Sequence, residues 1–132
     1  MKNYYTKEAI NRFMEPKNFG KIKNADGVGE VGNIKCGDLM ELYIKVKEKD
    51  GKTIISDIKF NTLGCAAAIA TSDAICEMAK GKTIEEALRI QYKDVVNKLG
   101  SLPQVKIHCA SLAQEALKSA VSDYENKKKN EK

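Results

Sequence analysis

Two runs of alternating hydrophobic and polar residues, separated by Asp50-Gly51, constrain the fold of this chain more than any other feature. Alternation is the period of a β-strand with one dry face, and Asp-Gly between two such runs is a strong hairpin signal. The first run has its apolar positions at Met40, Leu42, Ile44 and Val46, and the second, about 53–62, has Ile54, Ile58 and Phe60 on one face. We therefore predict a β-hairpin, and a shorter strand around residues 29–34 completes an antiparallel sheet of three strands.

The sequence after Gly64 has the character of helices rather than strands. An alanine-rich stretch, 65–80, predicts a buried helix that ends at Gly81. Thr83-Ile84-Glu85-Glu86 is a capping-box pattern that opens a second helix, through residue 90. A third helix is predicted over 92–99, and a last one begins near residue 108, with an apolar face that reaches Tyr124.

One more helix is predicted at the start of the chain. Thr6 is a suitable N-cap, Ala9, Ile10 and Phe13 share one helical face, and Pro16 stops the helix. Strands followed by helices indicate an α+β fold, in which helices pack on one face of a small three-stranded antiparallel sheet.

Length and charge limit the class of protein. The 132 residues suit one domain, which we place at 1–126, with a basic disordered tail at 127–132. The net charge of +5 is spread along the chain without an RNP motif or zinc-finger spacing, so no nucleic-acid partner is expected. The longest uncharged run, 61–72, is too short to cross a membrane, and no secretory signal is visible, so a cytoplasmic location is expected.

Three of the four cysteines lie where predicted elements begin or end. Cys36 precedes the long strand, Cys65 stands at a strand-to-helix junction, and Cys109 follows His108 at the start of the last helix. The N-terminus of a helix favours a thiolate. Asp38 can point the same way as Cys36 if that segment is extended. Thiolates, a carboxylate and an imidazole that converge are a set of metal ligands, and soft sulfur selects zinc, copper(I) or an iron–sulfur cluster.

The residues alone leave two other interpretations open. The cysteines could be small core residues, or a Cys–His pair could act as a nucleophile. Cys76, inside the alanine-rich helix, is interpreted as a packing residue. Lys106 is interpreted as a cation that lowers the pKa of a neighbouring thiol.

Four motifs in this order resemble a known family. They are Pro16-Lys17-Asn18, Cys36-Gly37-Asp38, Gly64-Cys65-Ala66-Ala67-Ala68-Ile69-Ala70-Thr71-Ser72 and Leu102-Pro103-Gln104-Val105-Lys106-Ile107-His108-Cys109. Together they closely resemble the iron–sulfur cluster assembly scaffolds, the IscU-type proteins and the matching N-terminal domain of NifU. The resemblance covers the chain from Tyr4 to Tyr124.

The resemblance implies a function and a set of ligands. The cysteines at 36, 65 and 109 receive sulfur from a cysteine desulfurase, build a [2Fe–2S] cluster with iron, and pass the cluster to apo acceptor proteins. Asp38 joins the site and favours release, His108 is an alternative ligand, and Lys106 lies near the metal, so the metal site is expected at one end of the fold. Zinc occupies the same residues in the cluster-free form. Scaffolding is not turnover, so no enzyme is expected.

Two details of the resemblance bear on partners. An Hsp70-type chaperone is implied at Leu102–Lys106, although Gln104 stands where the family usually has a second proline. The SufU branch, a zinc-dependent sulfurtransferase, is the alternative function. His108 and the short run between Gly81 and Leu102 favour the scaffold, and a purely structural zinc domain is a third interpretation.

Overall fold

Three antiparallel strands form one sheet in sequential order. The computed structural model describes residues 5–32 and 39–130. The strands are β1 Gly27–Val31, β2 Met40–Lys49 and β3 Lys52–Thr62, in the order β1-β2-β3. Asp50 (φ 53°) and Gly51 (φ 80°) make the turn in the left-handed region, which the hairpin motif requires. The hairpin and the three-stranded sheet are confirmed. The first strand begins two residues earlier than predicted, and residues 33–34 lie outside the described part of the chain.

A β-bulge changes which side of β3 faces the core. Lys45 pairs with Asp57 while Val46 pairs with Ile55, so Ser56 is an extra residue in the ladder. An extra residue reverses the alternation of every side chain beyond it. Ile55 is therefore fully buried together with Ile58. The prediction that Ile54 shares their face is wrong, because strict alternation cannot anticipate a bulge.

Within the part of the chain that the structure describes, five helices follow the predicted order and confirm the α+β class. They are α1 Lys7–Met14, α2 Ala66–Ala79, α3 Ile84–Leu88, α4 Tyr92–Leu99 and α5 Ile107–Asn130, with a short 3-10 turn at Gln104–Lys106. Thr83 and Glu86 close the predicted capping box with bonds of 3.1 and 3.0 Å. Gly100 (φ 91°) ends α4.

The helices cover one face of the sheet. α2 packs on β3, and α5 packs on β1 and β2. Met40, Leu42 and Ile44 point into this layer and are fully buried, while Glu41 and Lys45 on the opposite face stay partly exposed. None of the helices in the described residues is both long and apolar enough to cross a membrane.

α1 buries a charged side chain instead of its predicted apolar face. Ala9 and Arg12 are buried, whereas Ile10 and Phe13 are 48% and 40% exposed. The reason is an ion pair. Arg12 Nη1 lies 2.8 Å from Asp73 Oδ2 on α2, and Asp73 is 1% exposed. This pair turns the apolar side chains of α1 outward.

The C-terminal helix is longer than predicted. α5 continues to Asn130, where the sequence predicted that a disordered tail begins at residue 127. Lys127 Nζ lies 3.1 Å from Asp123 Oδ2 one turn earlier, and Lys128 lies over the ring of Tyr124. Cations in the last turn also suit the helix dipole. These contacts explain why the basic segment extends the helix.

Two glycines let β1 approach α5 closely. A Cβ atom at Gly27 would lie 2.2 Å from the carbonyl oxygen of Ala120, and one at Gly29 would lie 2.3 Å from that of Ala116. The backbones of strand and helix are therefore in direct contact, and β1 is held at a short distance from the helix that begins next to Cys109.

The outer edge of β3 is covered near both ends. At one end, Gly20 N donates to the carbonyl of Phe60, and Phe60 N donates to that of Asn18. At the other end, Gly81 N donates to the carbonyl of Ile55, and Ile55 N donates to that of Lys82. Segments outside the sheet thus satisfy backbone groups that an edge strand otherwise leaves unpaired.

Candidate metal centre

Cys65 is the N-cap residue of α2 and is exposed to solvent. Burial of part of its surface raises the pKa of its thiol. The backbone amides of Ala68 and Ala67, the charge of Lys106 and the thiol of Cys109 together outweigh this, so the pKa is below its ordinary value. The amides face the sulfur without closing a capping hydrogen bond. The expectation that a helix N-terminus favours the Cys65 thiolate agrees with this arrangement.

Cys109 lies in the first turn of α5 and is only 3% exposed. Its thiol faces Cys65 closely enough to lower the pKa of that residue. Two thiols from helices distant in sequence therefore meet at one point. α2 and α5 both begin here. The positions of the two sulfurs are therefore set by the starts of two helices rather than by a flexible loop.

His108 is exposed beside Cys109 and presents one nitrogen to it. Its Nδ1 lies 3.2 Å from the carbonyl oxygen of Val105. A carbonyl oxygen accepts hydrogen bonds and cannot donate them, so Nδ1 is the donor. The neutral ring therefore carries its proton on Nδ1 and keeps a lone pair on Nε2. Nε2 lies 3.8 Å from Cys109 Sγ. This is the tautomer that a metal-binding imidazole needs.

Lys106 and Tyr5 complete the surroundings of the two thiols. The charge of Cys65 raises the pKa of Lys106, with a smaller effect from Tyr5. Burial raises the pKa of Tyr5, and Cys65 and Cys109 raise it further. Sequence reasoning found Lys106 from its spacing to His108 but missed Tyr5. No local motif marks Tyr5, because its position depends on how the chain before α1 packs.

Two predicted ligands, Cys36 and Asp38, lie outside the described residues. Within 5–32 and 39–130, no three His, Cys, Asp or Glu side chains form a group that could hold a metal ion by themselves. Cys65 and Cys109 bring two thiols together, and His108 lies beside Cys109 without forming a group of three with them. A complete coordination sphere needs further donors.

Cys76 differs from Cys65 in its exposure and in the direction of its pKa shift. It lies inside α2, is fully buried, and its pKa is raised well above the ordinary value by burial. A buried thiol of this kind is unreactive and binds no metal without a large cost. Its burial agrees with its interpretation as a packing residue.

We predict that iodoacetamide at neutral pH modifies Cys65 before Cys109, and Cys76 last. Cys65 is exposed and has the lowered pKa, so a larger fraction is thiolate, which is the reactive form. Lys106→Ala should slow modification of Cys65, because it removes a cation that stabilises the thiolate. Peptide mass spectrometry over time measures the order. The control is Lys118→Ala, an exposed lysine further along α5; an equal effect of both substitutions would contradict the role of Lys106.

The described residues thus bring two thiols and a neighbouring imidazole together at the starts of two helices of an α+β domain. The profile of the family described as NifU-like N-terminal domain matches residues 4–131. The chain belongs to this family.

Several curated relatives share most of the chain. An iron–sulfur cluster assembly scaffold protein IscU of Archaeoglobus fulgidus is 57% identical over 120 residues, which is 91% of this chain and 76% of that protein. The IscU of Buchnera aphidicola is 46% identical over 129 residues, which is 96% of this chain and 98% of that protein. Among solved structures, a protein of Fervidobacterium islandicum AW-1 assigned as an iron–sulfur cluster assembly scaffold of the SUF system has a TM-score of 0.67 and 28% identity, and covers 89% of this chain and 96% of that chain.

Proposed function

We propose that this protein is a scaffold on which an iron–sulfur cluster is assembled and from which the cluster passes to apo acceptor proteins. The observation that carries the proposal is the meeting of Cys65 and Cys109 at the starts of two helices, with His108 and Lys106 beside them. The cluster is cargo, so the protein needs a site that both takes it up and releases it. Membership of a family whose relatives are scaffolds supports the same function.

Sulfur enters as persulfide from a cysteine desulfurase. The thiolate of Cys65 attacks the terminal sulfur of the donor's persulfide, a new S–S bond forms, and the donor's S–S bond breaks. Its electron pair stays on the donor sulfur, which leaves as a thiolate. Exposure and the lowered pKa of Cys65 suit it to this step. Lys106 offsets the negative charge of the Cys65 thiolate and then of the persulfide that replaces it.

Each persulfide sulfur is then reduced to sulfide by two electrons from an external reductant, a thiol or a reduced ferredoxin, and the persulfide S–S bond breaks with return of the cysteine thiolate. Two such sulfides and two iron ions form a [2Fe–2S] cluster that Cys36, Cys65 and Cys109 would hold. Thiolates are the usual ligands of such clusters, and His108 Nε2 offers its lone pair as an exchangeable donor. A hard carboxylate from Asp38 makes the ligand set weaker than three or four thiolates, which favours release. Zinc occupies the same donors in the cluster-free protein, since Cys and His are its preferred ligands. A reducing cytoplasm would keep these thiols reduced.

A chaperone of the Hsp70 type would meet only half of the segment Leu102–Lys106 in this fold. Leu102 and Pro103 are buried, whereas Gln104 and Val105 are exposed, Val105 by 78%. The chaperone therefore contacts the exposed residues Gln104 and Val105, or binds after this segment has moved away from the core.

The second candidate function is the zinc-dependent sulfurtransferase of the SufU type. The similarity to the SUF-system protein of Fervidobacterium islandicum favours it. This function also uses the thiols as sulfur acceptors, but iron is never assembled.

Anaerobic reconstitution tests the proposal. We expect the purified protein, incubated with iron, cysteine and a cysteine desulfurase, to form a cluster that absorption and Mössbauer spectra detect and that moves to an apo-ferredoxin. Cys109→Ser should abolish assembly, because it removes a thiolate ligand. Cys76→Ala should leave assembly intact, because Cys76 is buried in α2 away from the site.

Two results would contradict the assignment. Sulfur uptake that depends on bound zinc, with no iron cluster, would support the sulfurtransferase. Loss of assembly in Cys76→Ala, in a protein that is still folded by circular dichroism, would show that the ligand set is wrong.

A further inference from the structure

Thr71 lies under the two helix starts that carry the thiols. Its side chain is fully buried in α2. Its hydroxyl oxygen is 2.7 Å from the carbonyl oxygen of Ala67, 3.3 Å from that of Ala68 and 3.4 Å from that of Cys109 on α5. The single proton is donated mainly to Ala67, the nearest acceptor, and the carbonyl of Cys109 lies at the outer limit of the same donor's reach.

We propose that Thr71 is a positioning residue that sets the two thiols of Cys65 and Cys109 for joint metal binding. The inference rests on the proposed function, since it concerns how that site is held. The hydroxyl of Thr71 contacts backbone carbonyls in this arrangement. It acts through the first turns of α2 and α5.

The link to Cys65 runs through one peptide group. The carbonyl of Ala67, which accepts from Thr71, belongs to the same peptide unit as the N–H of Ala68, which faces the Cys65 sulfur. A hydrogen bond to the carbonyl polarises the N–H and makes it a better donor. Thr71 therefore strengthens the interaction between the N–H of Ala68 and the sulfur of Cys65.

The link to Cys109 is the contact between the two helices. The buried face of α2 next to Thr71 consists largely of alanine, including Ala67, Ala70 and Ala74. Small apolar side chains set the relative position of two helices only loosely, whereas a buried polar contact specifies one arrangement. Water does not compete for the hydroxyl, because the side chain is fully buried. The contact with the Cys109 carbonyl is a second, weaker interaction of the same hydroxyl, and it places the first turn of α5 beside α2.

An ordinary structural role is the competing explanation. Threonine in a helix often donates to the carbonyl four residues earlier, with no further consequence. The neighbouring Ser72 provides a matched control: it is equally buried, but its hydroxyl has no hydrogen-bond partner in the described residues.

Cobalt(II) titration of the metal-free protein tests the proposal. The affinity is measured from the sulfur-to-cobalt charge-transfer absorption in Thr71→Val, Thr71→Ser and Ser72→Ala. We expect Thr71→Val to weaken binding about tenfold, the lower end of the range for groups that orient ligands without touching the metal. Thr71→Ser keeps the hydroxyl and should restore most of the affinity, and Ser72→Ala should match the original protein.

Thermal unfolding of the same variants separates positioning from stability. A loss of stability in Thr71→Val with unchanged cobalt affinity would overturn the proposal. An equal loss of affinity in Ser72→Ala would also overturn it, because any disturbance of the buried face of α2 would then be sufficient.

A metal-free measurement keeps this inference distinct from the proposed function. If the original protein neither binds cobalt through sulfur nor assembles a cluster, the proposed function fails. The positioning role of Thr71 is then judged from the iodoacetamide modification rate of Cys65 divided by that of Cys109. The ratio should fall in Thr71→Val and recover in Thr71→Ser; an unchanged ratio would refute the role of Thr71.

Discussion

Asp73→Ala should lower the free energy of unfolding by about 3–5 kcal/mol, the usual cost of removing one partner from a buried ion pair. Asp73 is 1% exposed and lies 2.8 Å from Arg12 Nη1. It also accepts hydrogen bonds from the backbone N–H of Asn18 at 2.8 Å and from its side-chain amide at 3.1 Å. Its loss removes the acceptor of both Asn18 donors and the most buried partner of Arg12, which keeps its contacts with Glu8 and Glu77. Urea unfolding measures the change, with an unchanged dependence on urea concentration as the sign of intact two-state behaviour.

Glu8→Ala is the control for this prediction. Glu8 also pairs with Arg12, at 2.7 Å, but its side chain is 47% exposed. An exposed pair of this kind contributes less than about 1 kcal/mol. Equal effects of the two substitutions would mean that burial of Asp73 does not determine the strength of the contact between α1 and α2.

Gly29→Ala should destabilise the protein by about 3 kcal/mol, the upper part of the range for an overpacked core. The new Cβ would lie 2.3 Å from the carbonyl oxygen of Ala116 and 2.5 Å from the nitrogen of Ala120. Both are backbone atoms of α5, so no side-chain rotation relieves the clash, and the helix must move away from β1. Because Cys109 is in the first turn of the same helix, we also expect cluster assembly to fall in the fraction of protein that stays folded.

Glu30→Ala is the control for Gly29→Ala. It tests whether the loss of stability comes from the contact between β1 and α5 or from any substitution in β1. Glu30 is the next residue of β1 and is exposed, so its truncation should change stability by no more than about 0.5 kcal/mol. Chemical unfolding of both variants gives the comparison. A Gly29→Ala protein as stable as the original would show that β1 and α5 tolerate a wider separation than this packing indicates.

The architecture was predictable because its signals are local. Alternation over residues 40–46, Asp50-Gly51 and the capping box at Thr83 each depend on neighbours within a few positions, and all three appear in the structure. The position of Cys65 at the start of a helix was equally readable from the change in composition after Gly64.

The remaining features depend on contacts between distant residues. The bulge at Ser56 is an adjustment between two strands, and the outward turn of Phe13 follows from the pairing of Arg12 with Asp73 sixty-one positions away. Tyr5 reaches the thiols only after α1 has packed on α2. Pro16-Lys17-Asn18 could be matched as a motif, but its physical reason, the bonds of Asn18 to Asp73, needed the fold.

The covering of the β3 edge bears on how the protein behaves at high concentration. Unpaired strand edges recruit strands from other molecules, and such contacts grow into aggregates. Here the segment at Asn18–Gly20 and the residues Gly81 and Lys82 occupy backbone groups at both ends of β3. Their removal by a loop deletion would open an edge of eleven residues. The bonds at Ile55 and Phe60 therefore disfavour association between molecules through this edge of β3.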